Sequence, residues 1–325
     1  MKYVNLGRTG IQVSPLCLGT MNFAHRTSEE EAVAMLDQAI EQGINFIDTA
    51  NFYGQPLNNG DGQGYTEKLL GKALEGKRSR IVLATKFAMP MNRHDPNARG
   101  CSRRHLIEQC EASLKRLKTD YIDLYQVHYH CADIPIDETL RALDDLIKAG
   151  KVRYIGTSSF AAWHLMESLW VSEKWMLNRF ISEQPRYNLL NRKIEAELLP
   201  MAQKYGIGIM AYAPLQGGLL SGKYKRDQAH PEDSRLLDSA WGAWAEGYHQ
   251  DRVYDVLEGL ESIAAEKNCT LSQLAVAWVI HQPGVTSSII GPRTVAQFED
   301  NVAALEVELT EEDVKQMDEL TKIPG

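Results

Sequence analysis

Along the whole chain, short apolar runs alternate with longer segments whose apolar positions recur every three or four residues. Eight of the short runs have strand length: PLCLG (15–19), INFID (44–48), IVLATK (81–86), YIDLYQVH (121–128), VRYIGT (152–157), RFISEQ (179–184), IGIMAY (207–212) and SSIIG (287–291). Runs that are apolar nearly throughout suit parallel strands covered on both faces, and regular strand-helix alternation builds a parallel sheet. Eight such units close into a (β/α)8 TIM barrel, so the fold class read from the pattern is α/β.

The intervening segments carry helix signals. Ser28 and Glu31 form a capping-box pattern before Val33, Leu36, Ala39 and Ile40, and Gly43 ends that helix. Ser102 opens another through Leu106, Cys110, Leu114 and Leu117, and a further one runs through Leu140, Leu143 and Ile147 to Gly150. The stretch LSQLAVAWVIHQ is apolar around most of its circumference, which predicts a helix packed on several sides with Trp278 in the core. Ahead of the first barrel strand, YVNLG and IQVS flank Arg8-Thr9-Gly10 and predict a β-hairpin that plugs one barrel end. No linker or longer repeat interrupts the pattern. Residues 1–325 therefore read as a single domain with long loops on the C-terminal face, the longest from about Tyr212 to His249.

With 325 residues, 44% of them hydrophobic and 24% charged, the chain has the composition of a folded globular protein and room for one barrel. A net charge of −8 without a dense basic stretch argues against nucleic acid or an anionic membrane surface as partners. No run reaches the roughly 18 apolar residues of a membrane span. The opening MKYVNLGRTGIQVSPLCLG lacks the apolar core of a signal peptide. The cysteines at 17, 101, 110, 131 and 269 are odd in number and show no C-x-x-C spacing. That points away from a disulfide framework or zinc site and toward a reducing, cytoplasmic setting.

Reactive side chains collect where strands end. Asp48, Lys86 and His128 each follow a strand's apolar core, and Tyr53 lies in the loop after Asp48; in a TIM barrel these strand ends form the rim that carries active sites. Each alone has a plain structural reading, since an aspartate caps turns, a tyrosine packs, a lysine is solvated and His128-Tyr129-His130 reads as two loop histidines. Together they make a proton-transfer set. A phenol, with a pKa of about 10, is a poor acid near neutrality, so the Lys86 ammonium is expected to pull Tyr53 down while Asp48 anchors Lys86. A drop of about three units corresponds to roughly 4 kcal/mol of differential stabilisation.

These residues resemble the aldo-keto reductase family, over a stretch from the hairpin to about residue 305. The family's D-T-A-x-x-Y-G segment is matched by Asp48 to Gly54, its A-T-K strand end by Ala84 to Lys86, and its histidine on the fourth barrel strand by His128. The resemblance implies that Asp48, Tyr53, Lys86 and His128 are catalytic. It also implies a nicotinamide cofactor lined by Gly19, Thr20, Met21, Asp48, Ser158, Ser159, Gln184, Tyr212, Pro214, Leu215 and Gly217, with Tyr212 stacked on the nicotinamide. The segment GPRTVAQFEDN resembles the part that grips the adenosine half, which implies Gly291, Arg293, Gln297, Asp300 and Asn301. An arginine at 293 can pair bidentately with a ribose 2′-phosphate, so the expected cofactor is NADPH. Two features depart from the family. The usual Ser-Asn pair is Ser158-Ser159 here, and a serine offers the carboxamide fewer donors. The insertion QPLNNGDGQG follows the tyrosine, without the G-x-G-x-x-G spacing of a phosphate cradle.

The expected function is reduction of a small-molecule aldehyde or ketone, a keto-sugar among the candidates, with Tyr53 as general acid, His128 orienting the carbonyl and no metal. One rival is a cofactor-binding, redox-sensing subunit resembling potassium-channel β subunits. Another is a metal-dependent hydrolase using His128, His130 and Asp48, which lacks further ligands at other strand ends. Substrate choice falls to rim loops, including residues 87–101 with Asn92, Arg93 and His94, and the stretch holding Trp241, Trp244 and His249. A helix face buried in a barrel and one buried on a second subunit look alike, so the sequence leaves homo-oligomer formation open.

Overall fold

Each of the eight predicted strands forms, and they close on one another. The computed structural model describes residues 1–54, 64–92, 94–226, 228–229 and 251–322. Its barrel strands are β3 (Leu16–Gly19), β4 (Phe46–Asp48), β5 (Val82–Phe87), β6 (Ile122–Val127), β7 (Val152–Ser158), β8 (Ser182–Gln184), β9 (Gly208–Tyr212) and β10 (Val285–Ile290). Successive strands pair in parallel, and β10 pairs with both β9 and β3, so the sheet has no open edge. Around it run α1 (Glu29–Glu41), α2 (Tyr65–Ala73), α3 (Arg103–Leu117), α4 (Ile136–Lys148), α5 (Ala162–Lys174) and α6 (Leu198–Tyr205). The later helices are α7 (Asp251–Glu266), α8 (Leu271–His281), α9 (Val295–Val302) and α10 (Glu311–Thr321). The (β/α)8 expectation holds.

Local signals set the helix ends. The Ser28 side chain accepts from the Glu31 amide at 3.2 Å, and Ser102 accepts from the His105 amide at 3.3 Å. Past α1, Gly43 takes the left-handed conformation at φ +85°. In α8, Trp278 is buried among Tyr187, Leu260 and Leu274, as its all-round apolar pattern predicts.

The strand period of two divides the barrel into an outer and an inner layer. Along β5, Val82 and Ala84 belong to the inner cluster, Lys86 continues that face, and Leu83 and Phe87 pack outward under the helices. The inside is hydrocarbon at one end, where Cys17, Phe46, Val82, Leu124 and Met210 meet Leu6 and Val13 of the hairpin β1 (Val4–Asn5) and β2 (Gln12–Val13). Gly7 lets the hairpin seat this deeply, since a Cβ there would stand 2.5 Å from the Ile181 carbonyl oxygen and its φ is +58°. At the other end the same inner face becomes polar, with Asp48, Lys86, Gln126 and Gln184 all buried.

The cysteines correct an expectation. Cys101 and Cys131 are joined by a disulfide, with Cα atoms 6.1 Å apart, while Cys17, Cys110 and Cys269 are free. The bonded pair is 30 residues apart in sequence. It links the loops after β5 and β6, which meet because those strands are barrel neighbours, and no spacing rule along the chain reports that. Of the predicted rim loops, residues 55–63, Arg93, Trp241, Trp244 and His249 lie outside the described residues. Among the described residues, no helix is long and apolar enough to cross a membrane.

Candidate active site

Asp48 ends β4 on its inward face, and Lys86, two positions beyond its strand partner Ala84, reaches back to it. The Lys86 ammonium pairs with Asp48 Oδ2, donates to the Thr49 carbonyl at 2.9 Å and donates to the Tyr53 hydroxyl oxygen at 3.3 Å. Its three N–H donors thus meet three acceptors. Asp48 Oδ1 accepts from Gln126 Nε2 and Gln184 Nε2, each at 2.9 Å. Neither side chain of the ion pair is more than 4% exposed, a setting in which removing one partner would strand the other charge. Because the Tyr53 oxygen accepts from Lys86, the phenolic proton is left to point elsewhere. The Tyr53 and His128 rings meet edge to face, 5.9 Å between centroids, and the His128 amide donates to the Phe87 carbonyl at 3.0 Å.

Burial and charge compete here, and the outcome differs from expectation at Tyr53. Burial pushes the phenol up; Lys86 pulls it down, Asp48 opposes Lys86, and the net shift is upward. The anticipated depression is absent in the free protein because burial of the phenol outweighs the lysine, and the carboxylate that anchors the lysine also offsets part of its charge. Tyr53 therefore stays a protonated donor at neutral pH. For Lys86, burial lowers the pKa, but the Asp48 and Tyr53 interactions outweigh it and keep the ammonium charged. Burial, aided by the Lys86 charge, pushes His128 down to about 3, so its ring is neutral. Its Nδ1 is buried without a hydrogen-bond partner among the described residues.

Above this network opens a cavity of about 780 Å³. Its wall holds Gly19, Thr20 and Met21 after β3; Asp48 and Tyr53; His128; Ser158 and Ser159; Gln184; and Tyr212, Pro214, Leu215 and Gly217 after β9. Gly291, Arg293, Gln297, Asp300 and Asn301 line it further along. Lys86 lies beneath the wall rather than on it. A separate, more open cleft of about 950 Å³, lined by Arg192, His281 and Asp318 among others, contains none of these residues.

The wall suits a long ligand carrying an aromatic ring and anionic groups. Gly217 and Gly218 take positive φ and expose their backbone, the buried Gln216 Nε2 lacks a partner among the described residues, and Lys223 and Arg293 supply positive charge. Asp300 is already engaged, accepting from Thr270 Oγ1 at 2.9 Å and Gln273 Nε2 at 2.8 Å. Gln297 Oε1 accepts from the Arg293 amide at 2.9 Å. Ser159 takes φ +59°, a left-handed conformation that asparagine tolerates better than serine, so the departure from Ser-Asn leaves a strained residue at the rim. Among the described residues, no group of three His, Cys, Asp or Glu side chains could hold a metal ion.

Sequence reading missed Gln126, Phe52, Met89, Arg186 and Lys223. Gln126 had a signal, a polar residue on the inward face of an otherwise apolar strand and two positions before His128. The others are loop or strand-end residues brought to the wall by the fold.

The aldo/keto reductase family matches residues 15–322. An uncharacterized oxidoreductase, YrpG, of Bacillus subtilis (strain 168) is 40% identical over 333 aligned residues that cover 100% of this chain and 97% of the relative. A probable voltage-gated potassium channel subunit beta of Arabidopsis thaliana is 36% identical, covering 94% of this chain and 92% of the relative. Protein tas of Escherichia coli (strain K12) is 34% identical, covering 96% and 95% respectively.

Proposed function

This chain belongs to the aldo/keto reductase family, and on that footing we propose that it reduces an aldehyde or ketone to the alcohol with NADPH, using Tyr53 as proton donor. The observation that carries the reading is the buried Asp48–Lys86 pair, which continues to the half-buried Tyr53 phenol at the wall of the cavity.

When bound, the reduced nicotinamide supplies the hydride to the carbonyl carbon. Ser158, Ser159, Gln184 and Tyr212 would hold the nicotinamide end, and Arg293, Gln297 and Asn301 the adenosine end, where the Arg293 guanidinium suits a 2′-phosphate. Tyr53 gives its proton to the carbonyl oxygen. Lys86 stabilises the phenolate left behind, and Asp48, held by Gln126 and Gln184, keeps Lys86 in place. A neutral His128 donates one hydrogen bond that orients the carbonyl without competing as an acid. A keto-sugar is a candidate substrate, since Asn92 and His94 lie on the loop after β5.

The test is NADPH oxidation by wild type and Tyr53→Phe against aldehydes, ketones and keto-sugars, with NADPH binding measured in parallel. The variant is expected to lose about 10²- to 10⁴-fold in turnover while binding NADPH as wild type does. Equal turnover would sink the assignment. The likeness to a protein named as a channel β subunit supports a second reading, a redox-sensing cofactor-binding subunit. Tight NADPH retention with no turnover in either protein would favour it.

A further inference from the structure

Four buried carboxyl groups outside the rim network's own pair can be compared by their partners. Glu67 pairs with Arg116, Asp123 with Arg78 and Arg153, and Asp144 with Lys148. Glu183, with 0% exposure, makes no ion pair among the described residues. It sits between Ser182 and Gln184 on β8, and its side chain lies on the opposite face from that of Gln184, which reaches inward to Asp48.

We propose that Glu183 is a positioning residue for the nicotinamide end of the cavity, its carboxyl group clamping the Ser158–Ser159–Phe160 turn that carries two of the proposed carboxamide contacts. The inference rests on the cofactor reading above. The Phe160 amide donates to Glu183 Oε1 at 3.0 Å, and Thr157 Oγ1 contacts Oε2. The turn is also tied to the neighbouring carbonyl, since Ser158 Oγ and the Ser159 amide donate to Gln184 O at 3.0 and 3.1 Å. Ser159 needs such ties because its left-handed φ of +59° is one that residues with a Cβ avoid. The three-residue strand β8 thus steadies the Asp48 carboxylate with one side chain and the carboxamide turn with the next.

The hydrogen bonds around the group accommodate its neutral form. Thr157 Oγ1 has one proton but stands near two acceptors, Glu183 Oε2 and, at 3.3 Å, the Ser182 carbonyl. A neutral carboxylic acid resolves this, its O–H donating to Thr157, which donates to Ser182. Among the described residues, no charge faces Glu183 from its surroundings. On β7 the outward neighbour is Thr157 and on β9 it is Ile209. On α5, His164 stacks on His130 at 3.6 Å and Glu167 is exposed, and on α6 Lys204 is exposed. Burial accordingly pushes the carboxyl up to about 8.

The test compares Glu183→Leu, Glu183→Gln and Glu183→Asp for binding of NADPH and of adenosine 2′,5′-bisphosphate, which lacks the nicotinamide. Glu183→Leu is expected to weaken NADPH at least about tenfold and leave the bisphosphate unchanged. Glu183→Gln, whose amide can donate to Thr157 and accept from the turn, rescues NADPH binding. Should the leucine variant fail to fold, Glu183→Asp decides, since its shorter reach should give the same selective loss. A native pKa near 8 against 4.5 unfolded means that stability is present below 4.5 and lost as pH rises toward 8. Wild type should therefore lose unfolding midpoint relative to Glu183→Gln across that window. Equal loss of both ligands, or no loss of either, overturns the positioning role. Wild type failing to bind NADPH while still binding the bisphosphate overturns the cofactor reading instead.

Discussion

The two ends of the barrel are built from opposite materials on the same strands. At the N-terminal end, Leu6 and Val13 press hydrocarbon into a ring of Cys17, Phe46, Val82 and Met210. There, shape alone is asked of each side chain. At the C-terminal end of the barrel strands, Asp48, Lys86, Gln126 and Gln184 are equally buried, yet every one is specified by a charge or a hydrogen bond. A buried polar network is costly when incomplete, whereas an apolar cluster loses only in proportion to what is removed. The comparison teaches that burial is uniform along the barrel while what specifies the buried side chain changes from shape to charge and hydrogen bonding.

The largest effect should come from the polar end. Asp48→Asn strands the Lys86 ammonium in a buried site. It is expected to cost about 3–5 kcal/mol in denaturant unfolding and at least about a hundredfold in NADPH-dependent turnover. Leu6→Ala at the apolar end should cost about 2–5 kcal/mol through the cavity it leaves, with turnover per folded molecule unchanged well below the unfolding transition. If Leu6→Ala abolished turnover as Asp48→Asn does, the division between the ends would fail.

His128 sharpens the contrast through pH. Its folded pKa of about 3 lies below the unfolded value of 6.5, so its contribution is fully present above 6.5 and is lost as pH falls toward 3. A urea series should show a slope of up to about 1.4 kcal/mol per pH unit from this group across that window, absent in His128→Asn. Glu183 has the reverse sign, so the two groups should be separable in one pH series. The smallest change belongs to neither end. Ser28→Ala removes the α1 cap and should cost about 1 kcal/mol with no effect on turnover.

Much of the architecture was legible in local pattern. RFISEQ and IGIMAY announced β8 and β9, Ser28 and Ser102 marked their helix starts, and the Asp48 to Gly54 segment with Lys86 and His128 picked out a rim. These succeed because strand period, capping and turn chemistry act over a few residues. The failures share a different cause. The Cys101–Cys131 bond depends on two loops becoming neighbours when β5 and β6 pair. The upward shift of Tyr53 depends on how deeply the phenol is buried and on Asp48 offsetting Lys86. Glu183 is visible in the sequence as an acid inside an apolar run, but its neutral clamp on the Ser159 turn exists only once β7 lies beside it.

The sequence by itself determined the barrel strand count, the ends of several helices and which side chains stand at the strand ends, because those follow from chemistry within a few residues of one another. Only the tertiary structure decided how those groups are charged, which cysteines meet and what holds the rim turns. Such properties are set by distance and desolvation between residues far apart along the chain, and neither has a value until the barrel closes.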